Sequence, residues 1–167
     1  MKQKILIIGC GIAGGSAALK LADAGYHVTV VTRAPDSTES NTYYAQGGII
    51  YTGEHDSPEL LAKDIFHAGA GHCNPSAVKI LSEAGPRLVK EFLIDRLDVP
   101  FDRSNQQLSL AREGGHSIPR IAHATDATGK SIEIALMRAV KDHPNITLLS
   151  GHTAIDLLTP SHHSIDR

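Results

Sequence analysis

The chain has no tryptophan, two cysteines and few aromatic residues of any kind, 4% of its 167 positions. Cys10 and Cys73 make neither a disulfide framework nor a metal-ligand spacing. Stability must therefore come from a packed aliphatic core, and a reducing, cytoplasmic setting is expected. An excess of one charge is missing too, because 16 basic and 18 acidic residues leave a net charge of −2. Composition thus offers no reason to expect nucleic acid or an anionic membrane as a partner. No apolar run approaches the length of a membrane span, and Ile5 to Ile8 is too short for the core of a secretory signal. Repeats and low-complexity segments are absent, and nothing sets an oligomeric state. With 41% hydrophobic and 20% charged residues, the chain is long and apolar enough for one globular domain with a real core.

Glycine is well supplied and well placed. Ile5-Leu6-Ile7-Ile8 runs straight into Gly9-Cys10-Gly11-Ile12-Ala13-Gly14. The branched apolar run reads as a strand buried on both faces of a parallel sheet. Ile12, Ala13, Ala17, Leu21 and Ala24 follow at helical spacing, and Gly25 supplies the stop. Tyr26 to Thr32 is β-branched and reads as a second strand, completing a βαβ unit. A Gly-x-Gly-x-x-Gly between a strand and a helix is a dinucleotide fingerprint rather than a chance cluster. Gly9 is expected to make the tight turn, Gly11 to admit a pyrophosphate to the backbone, and Gly14 to let the helix lie close on the strand. The helix N-terminus offers free N–H groups to phosphate.

One expected residue is missing. The second strand of such a unit ends in an acid that binds a ribose hydroxyl, but here it ends Val31-Thr32-Arg33-Ala34-Pro35. Arg33 in that place suits a phosphate or stacks on an adenine.

Ser40-Asn41-Thr42-Tyr43-Tyr44-Ala45-Gln46-Gly47-Gly48-Ile49 clusters hydroxyls, amides and two glycines before an apolar run. It suits hydrogen bonding to a polar ring edge and to pyrophosphate oxygens, with glycines that let a flat ring lie on the backbone; a plain turn before a strand explains it equally well. Ser57-Pro58 and Asn74-Pro75 are helix starts, the first helix reaching about Ala68. Gly85-Pro86 is expected to interrupt the second, which resumes from Arg87 to Arg96. His67, His72 and Cys73 straddle a helix end without a fourth ligand, so packing or surface roles are assigned to them. In Arg112-Glu113-Gly114-Gly115-His116-Ser117, ionisable groups of both signs flank a glycine pair; a functional loop and a loop salt bridge are equally good readings. A helix is expected from about Ser131 to Asp142, and strands at Ile146 to Leu149 and Ala154 to Leu158. Thr159 to Arg167 is a polar tail.

Taken in order, Gly9 to Gly14, Tyr43 to Gly48, Arg112 to Ser117 and Ile121 to Gly129 resemble the L-aspartate oxidases, of the succinate dehydrogenase and fumarate reductase flavoprotein group. The likeness runs over nearly the whole chain. It implies an α/β, Rossmann-like FAD-binding domain with a parallel sheet, of which residues 1–167 form the N-terminal portion. It also implies FAD held without a covalent bond, because Asn41 stands where membrane-bound relatives carry an attaching histidine. By resemblance Gly9, Cys10, Gly11, Ile12, Ala13 and Gly14 belong to the cofactor site, with Cys10 to Ala13 meeting the pyrophosphate, Arg33 replaces the missing acid, and Asn41, Thr42, Tyr43, Tyr44, Ala45, Gln46, Gly47 and Gly48 lie along the flavin. Thr153 and Ala154 match a backbone contact at the adenine end. Glu113 matches the residue that orients the substrate ammonium. The implied reaction is oxidation of L-aspartate to iminoaspartate for NAD biosynthesis, with oxygen or fumarate as acceptor. The family's catalytic arginine lies downstream of Arg167, so this chain alone also fits a truncated, inactive nucleotide-binding fragment. Arg33 keeps a third reading open, an NADP-binding oxidoreductase domain.

Overall fold

β-branched runs from opposite ends of the chain meet in one sheet. The computed structural model describes residues 4–158, so the tail from Thr159 lies outside the described residues. β1 (Lys4–Ile8), α1 (Ile12–Asp23) and β2 (His27–Val31) form the expected βαβ unit. β1 and β2 pair in parallel from Lys4↔His27 to Ile8↔Val31. Further on come β3 (Ile49–Ile50), α2 (Pro58–Ala68), α3 (Pro75–Leu88) and a π-helical segment, Val89–Arg96. β4 (Arg103–Ser104), β5 (Gln107–Leu108), β6 (Leu110–Ala111) and β7 (Ile121–Ala122) are short. α4 (Thr128–Asp142) then leads into β8 (Ile146–Leu149). β8 returns beside β2, so the parallel sheet has the order β1-β2-β8. β3, β7 and β6 make a second, antiparallel sheet in that order. Asn105 and Gln106 both have positive φ, 50° and 69°, which suits the two-residue turn joining β4 to β5.

Helix ends follow the caps written in the sequence. The Ser57 Oγ accepts from the Leu60 N–H at 3.1 Å, and the Asn74 Oδ1 accepts from the N–H groups of Ser76 and Ala77. Gly25, at φ 83°, turns the chain after α1. The core gathers Ala18, Leu19, Val28 and Val30 from the βαβ unit with Ile132, Leu136 and Val140 of α4. Leu136 presses on α1 at Gly15, where a Cβ would overlap its side chain. Each such fully buried aliphatic side chain stabilises the fold by about 1.5–3 kcal/mol.

Three expectations are corrected. β1 is not buried on both faces: it is an edge strand, with Leu6 60% and Ile8 67% exposed. Gly85-Pro86 does not break the helix. α3 runs through Pro86 to Leu88 and passes into the π-helical segment, so the proline, which has no N–H to donate, sits in the last turn of α3 without ending the helical run. Ala154 to Leu158 forms no strand; Ile155, Leu157 and Leu158 are exposed.

The closest packing is α1 on β1. A Cβ at Gly14 would fall on the Gly9 carbonyl, whereas one at Gly47 would meet nothing within 4 Å. Gly14→Ala should therefore lose about 1–3 kcal/mol, by the usual penalty for overpacking. Gly47→Ala should stay within about 0.5 kcal/mol of the parent. Urea denaturation midpoints check the pair, and equal midpoints would show that the helix is free to move off the strand.

Candidate cofactor site

The turn between β1 and α1 opens the largest cleft described, about 570 Å³. Gly9, Cys10, Gly11, Ile12, Ala13 and Gly14 form its floor. The end of β2 supplies Thr32 and Arg33, the loop after it Ser40, Asn41 and Thr42, and the chain after β8 supplies His152, Thr153 and Ala154. Topology brings these together because β1, β2 and β8 are parallel and adjacent, so their C-terminal ends share one edge.

The local geometry explains each glycine, though not always as the pattern suggests. Gly9 has φ 99° and makes the turn, and its N–H donates to the Val31 carbonyl at 2.8 Å. Gly11 has an ordinary φ of −59°. A Cβ there would meet Thr42 Oγ1 at 3.0 Å, so the side chain that Gly11 makes room for is Thr42 of the neighbouring loop. The Thr42 Oγ1 accepts from the Ile12 N–H at 3.0 Å, so one of the four N-terminal donors of α1 is already taken. The N–H groups of Gly11, Ala13 and Gly14 have no partner among the described residues and face the cleft end of the helix dipole. Arg33 and His152 line the cleft, and no carboxylate does. Three free N–H groups, a guanidinium and no acid fit an anionic diphosphate.

Tyr43 to Gly48 do not line this cleft. They run on from it, threaded between β7 and the start of α4. The Gly129 N–H donates to the Ala45 carbonyl at 3.0 Å, and a Cβ at Gly129 would strike the Thr42 and Ala45 carbonyls. At Gly48 a Cβ would strike Ile121 and the Ala122 carbonyl, so that glycine serves packing against β7, while Gly47 is open. Tyr43 meets Tyr44 edge to face at 5.3 Å, and Lys130 Nζ sits 5.6 Å from the Tyr43 ring centroid.

The 112–119 loop reaches the far end of this stretch. The Glu113 Oε1 accepts from the Gly48 N–H at 3.3 Å. Arg112 turns away, its Nε donating to the His116 carbonyl at 3.1 Å, so Glu113 and Arg112 do not pair. The loop is fixed from beneath. The Asp64 Oδ2 accepts from both the N–H and the Oγ–H of Ser117 at 2.9 Å. Arg120, fully buried, places Nη1 3.1 Å from that oxygen and Nη2 3.1 Å from Asp56 Oδ1. These are ion-pair contacts rather than a hydrogen-bonded fork, because no guanidinium nitrogen finds a hydrogen bond in good geometry. Burial works to raise the Asp64 pKa; hydrogen bonds from Ser117 and the charges of Arg120 and His116 outweigh it and hold the carboxyl below 3.8.

Eleven of the cofactor residues expected from the sequence line the cleft, as does Ser40 of the 40–49 stretch, whereas Ile8, Val31, Thr32 and His152 were not expected there. Thr32 and His152 stand one position before Arg33 and Thr153, so following the strand ends one step back would have found them. Arg120 and Glu133, buried charged side chains, carry no motif signal at all.

The fold and cleft define a class, the nucleotide-binding domains built on a strand, a glycine turn and a helix. Residues 4–164 match the family model of the FAD binding domain, and the chain belongs to that family. The family decides between the two cofactors that Arg33 leaves open, in favour of FAD. Over 162 residues the chain is 43% identical to an L-aspartate oxidase of Vibrio cholerae, covering 93% of this chain and 30% of that protein. An L-aspartate oxidase of Halobacterium salinarum is 41% identical over 155 residues, with 93% and 30% covered. A flavocytochrome c3 fumarate reductase in its open conformation superimposes with a TM-score of 0.81 at 25% identity, over 98% of this chain and 29% of that one. The chain spans about 30% of the length of these relatives.

Two outcomes follow from the geometry. Gly11→Val should push Thr42 off the Ile12 N–H and abolish FAD retention through gel filtration; unchanged flavin absorbance would show that this contact is dispensable. Asp64→Asn should destabilise the chain by about 3 kcal/mol at neutral pH, because a buried guanidinium loses one of its two acids. The pKa of Asp64 is depressed, so its stabilisation is present above 3.8 and is lost as pH falls through the lower folded value. Urea unfolding in acid should accordingly be less pH-dependent in Asp64→Asn than in the parent.

Proposed function

We propose that this chain is the cofactor-holding N-terminal part of an enzyme that oxidises L-aspartate to iminoaspartate and so feeds NAD biosynthesis. The observation that carries the reading is the place of Glu113. Its exposed carboxylate is held on the Gly48 N–H, at the end of the stretch that leads away from the dinucleotide cleft. The two oxidase relatives support the choice of substrate. Aspartate differs from succinate by an α-ammonium, and a fixed carboxylate pairs with that group through a charge-assisted hydrogen bond. When bound, FAD supplies a two-electron acceptor, reoxidised by oxygen or fumarate. Gly9 to Gly14, Arg33 and Asn41 to Gly48 would hold it without a covalent bond, with Thr153 and Ala154 at the adenine end. This chain's own part is binding and orientation. Under this reading, the arginine that acts in catalysis and the groups that clamp both substrate carboxylates belong to the portion of the enzyme that these 167 residues do not span. A cytoplasmic setting belongs to the same reading, and no helix among the described residues is long and apolar enough to cross a membrane.

Glu113→Gln tests the substrate in a complete enzyme containing this chain. The variant keeps an oxygen for the Gly48 N–H and removes the charge. Loss of one charge-assisted hydrogen bond, about 1.5–3 kcal/mol, corresponds to roughly a tenfold to hundredfold fall in kcat/KM on L-aspartate. Fumarate reduction, whose substrate has no ammonium, should change little. An unchanged ratio of the two efficiencies would sink the orienting role.

A further inference from the structure

Among the described residues, Glu133 is the one carboxyl with no exposed surface, and it takes no part in the cleft lining or the Arg120 cluster. It lies one turn into α4 from Gly129, the residue that packs on the Thr42 and Ala45 carbonyls. Neither of its oxygens makes a hydrogen bond of full geometry. The side chain that comes within hydrogen-bonding range of it is Ser40, a residue of the cleft wall. Ser40 is itself committed to the loop, because its Oγ accepts from the Tyr43 N–H at 3.2 Å. Its hydroxyl proton is then free to point at Glu133. Two residues on, Thr42 ties the same loop to the first N–H of α1. The loop that walls the cleft is therefore pinned on one side to α1 and backed on the other by a buried carboxyl.

We propose that Glu133 is a positioning residue for the cofactor, supporting the 40–45 loop as a neutral acid and loosening the hold on FAD when it loses its proton. The proposal rests on the reading of the cleft as the FAD site. A neutral carboxyl is an ordinary core group there. An ionised one is an unpaired charge without solvent, placed behind the wall that faces an anionic diphosphate. It disfavours both the packed loop and the ligand. Burial raises the carboxyl from 4.5 to about 7, with Ser40 opposing, so the switch falls near neutrality. The charged groups on the surrounding elements are engaged elsewhere. Asp23 of α1 meets Arg96 and His143, Lys130 lies over Tyr43, and Lys141 acts on Asp36. Lys20, Arg33, Glu39, Arg138 and Asp142 complete the ionised set on α1, the loop after β2 and α4, and β8 has none. None of them enters the causes that shift Glu133.

The test is the dissociation constant of FAD, read by quenching of flavin fluorescence on the 167-residue chain, well below and well above about pH 7. Wild type should bind about fivefold or more weakly on the alkaline side, the lower range of a site-to-site coupling. Glu133→Gln, neutral at every pH, should hold the affinity of the acid side throughout. A merely structural Glu133 would leave the pH profile unmoved in that variant. A second measurement needs no variant. Since the neutral form favours FAD, FAD binding must favour the neutral form, so calorimetry in buffers of different ionisation enthalpy should show proton uptake on binding slightly above neutrality. FAD binding with equal affinity at both pH values and no proton uptake would overturn the role of Glu133 and leave the cofactor site standing. Persistence of the wild-type pH profile in Glu133→Gln would do the same. Absence of saturable FAD binding at either pH would overturn the cofactor reading of this chain, and this proposal with it.

Discussion

The site depends on how closely α1 lies on β1. With no side chain at Gly14 the helix settles against the Gly9 carbonyl, and its first turn then points into the cleft. The α1 side of the cleft is placed by that contact. The N–H groups of Gly11, Ala13 and Gly14 are left facing open space because the strand has already turned away at Gly9. Thr42 reaches the Ile12 N–H because Gly11 leaves room for it. Leu136 can press on α1 because Gly15 has no Cβ. Three glycines in one turn thus set three separations: helix to strand, loop to helix, and helix to helix. A helix moved outward by a single methyl group would slacken all of them together, since packed interiors transmit such shifts.

Two buried charged residues show two ways of tolerating a polar group in the interior. Arg120 keeps its charge, because a guanidinium does not deprotonate in proteins, and Asp56 and Asp64 are drawn in to face it. That arrangement is rigid. It ties α2 through Asp64 to Ser117, and so to the loop that carries Glu113. Glu133 has no cation paired with it among the described residues, and burial pushes its carboxyl up to about 7. A paired ion holds its neighbours at every ordinary pH, whereas an unpaired acid holds them only while protonated. The loop carrying Glu113 and the loop carrying Ser40 thus lie against buried ionisable residues of two different kinds.

The sequence made the βαβ unit legible because each of its rules is local. The apolar run, the glycine spacing, the helical period and the stop at Gly25 all agree, and the caps at Ser57 and Asn74 fixed two more helices to the residue. The errors fell where a tertiary neighbour decides. Ile5 to Ile8 looks like an interior strand, yet its burial depends on what lies beside it. Pro86 looks like a break, yet a helix held on both sides changed its hydrogen-bond register and went on. Ala154 to Leu158 has strand-like composition, yet it pairs with no strand among the described residues. In the cleft, the glycine turn, Arg33, Asn41, Thr42, Thr153 and Ala154 were readable from pattern and resemblance, and the structure brings them together. The reason for Gly11 was not readable, because it is a neighbour, Thr42, thirty-one residues away in sequence.

The two sheets lead to two different kinds of surface. The parallel sheet ends at the dinucleotide cleft, where backbone N–H groups do the binding and side chains mostly stay small. Such a surface recognises a diphosphate by geometry and carries little information about what else is bound. The antiparallel sheet holds β3 and β6 on either side of β7, and it is from the ends of these strands that Gly48 and Glu113 meet. The loop that carries Glu113 is anchored there at the Gly48 N–H and, further along, at Asp64 through Ser117. The Gly48 N–H takes one oxygen of Glu113, which leaves the other without a recorded partner among the described residues. A carboxylate held by one oxygen in this way keeps its charge in a set place and still has a second acceptor to offer, which is the feature on which the proposed substrate reading rests.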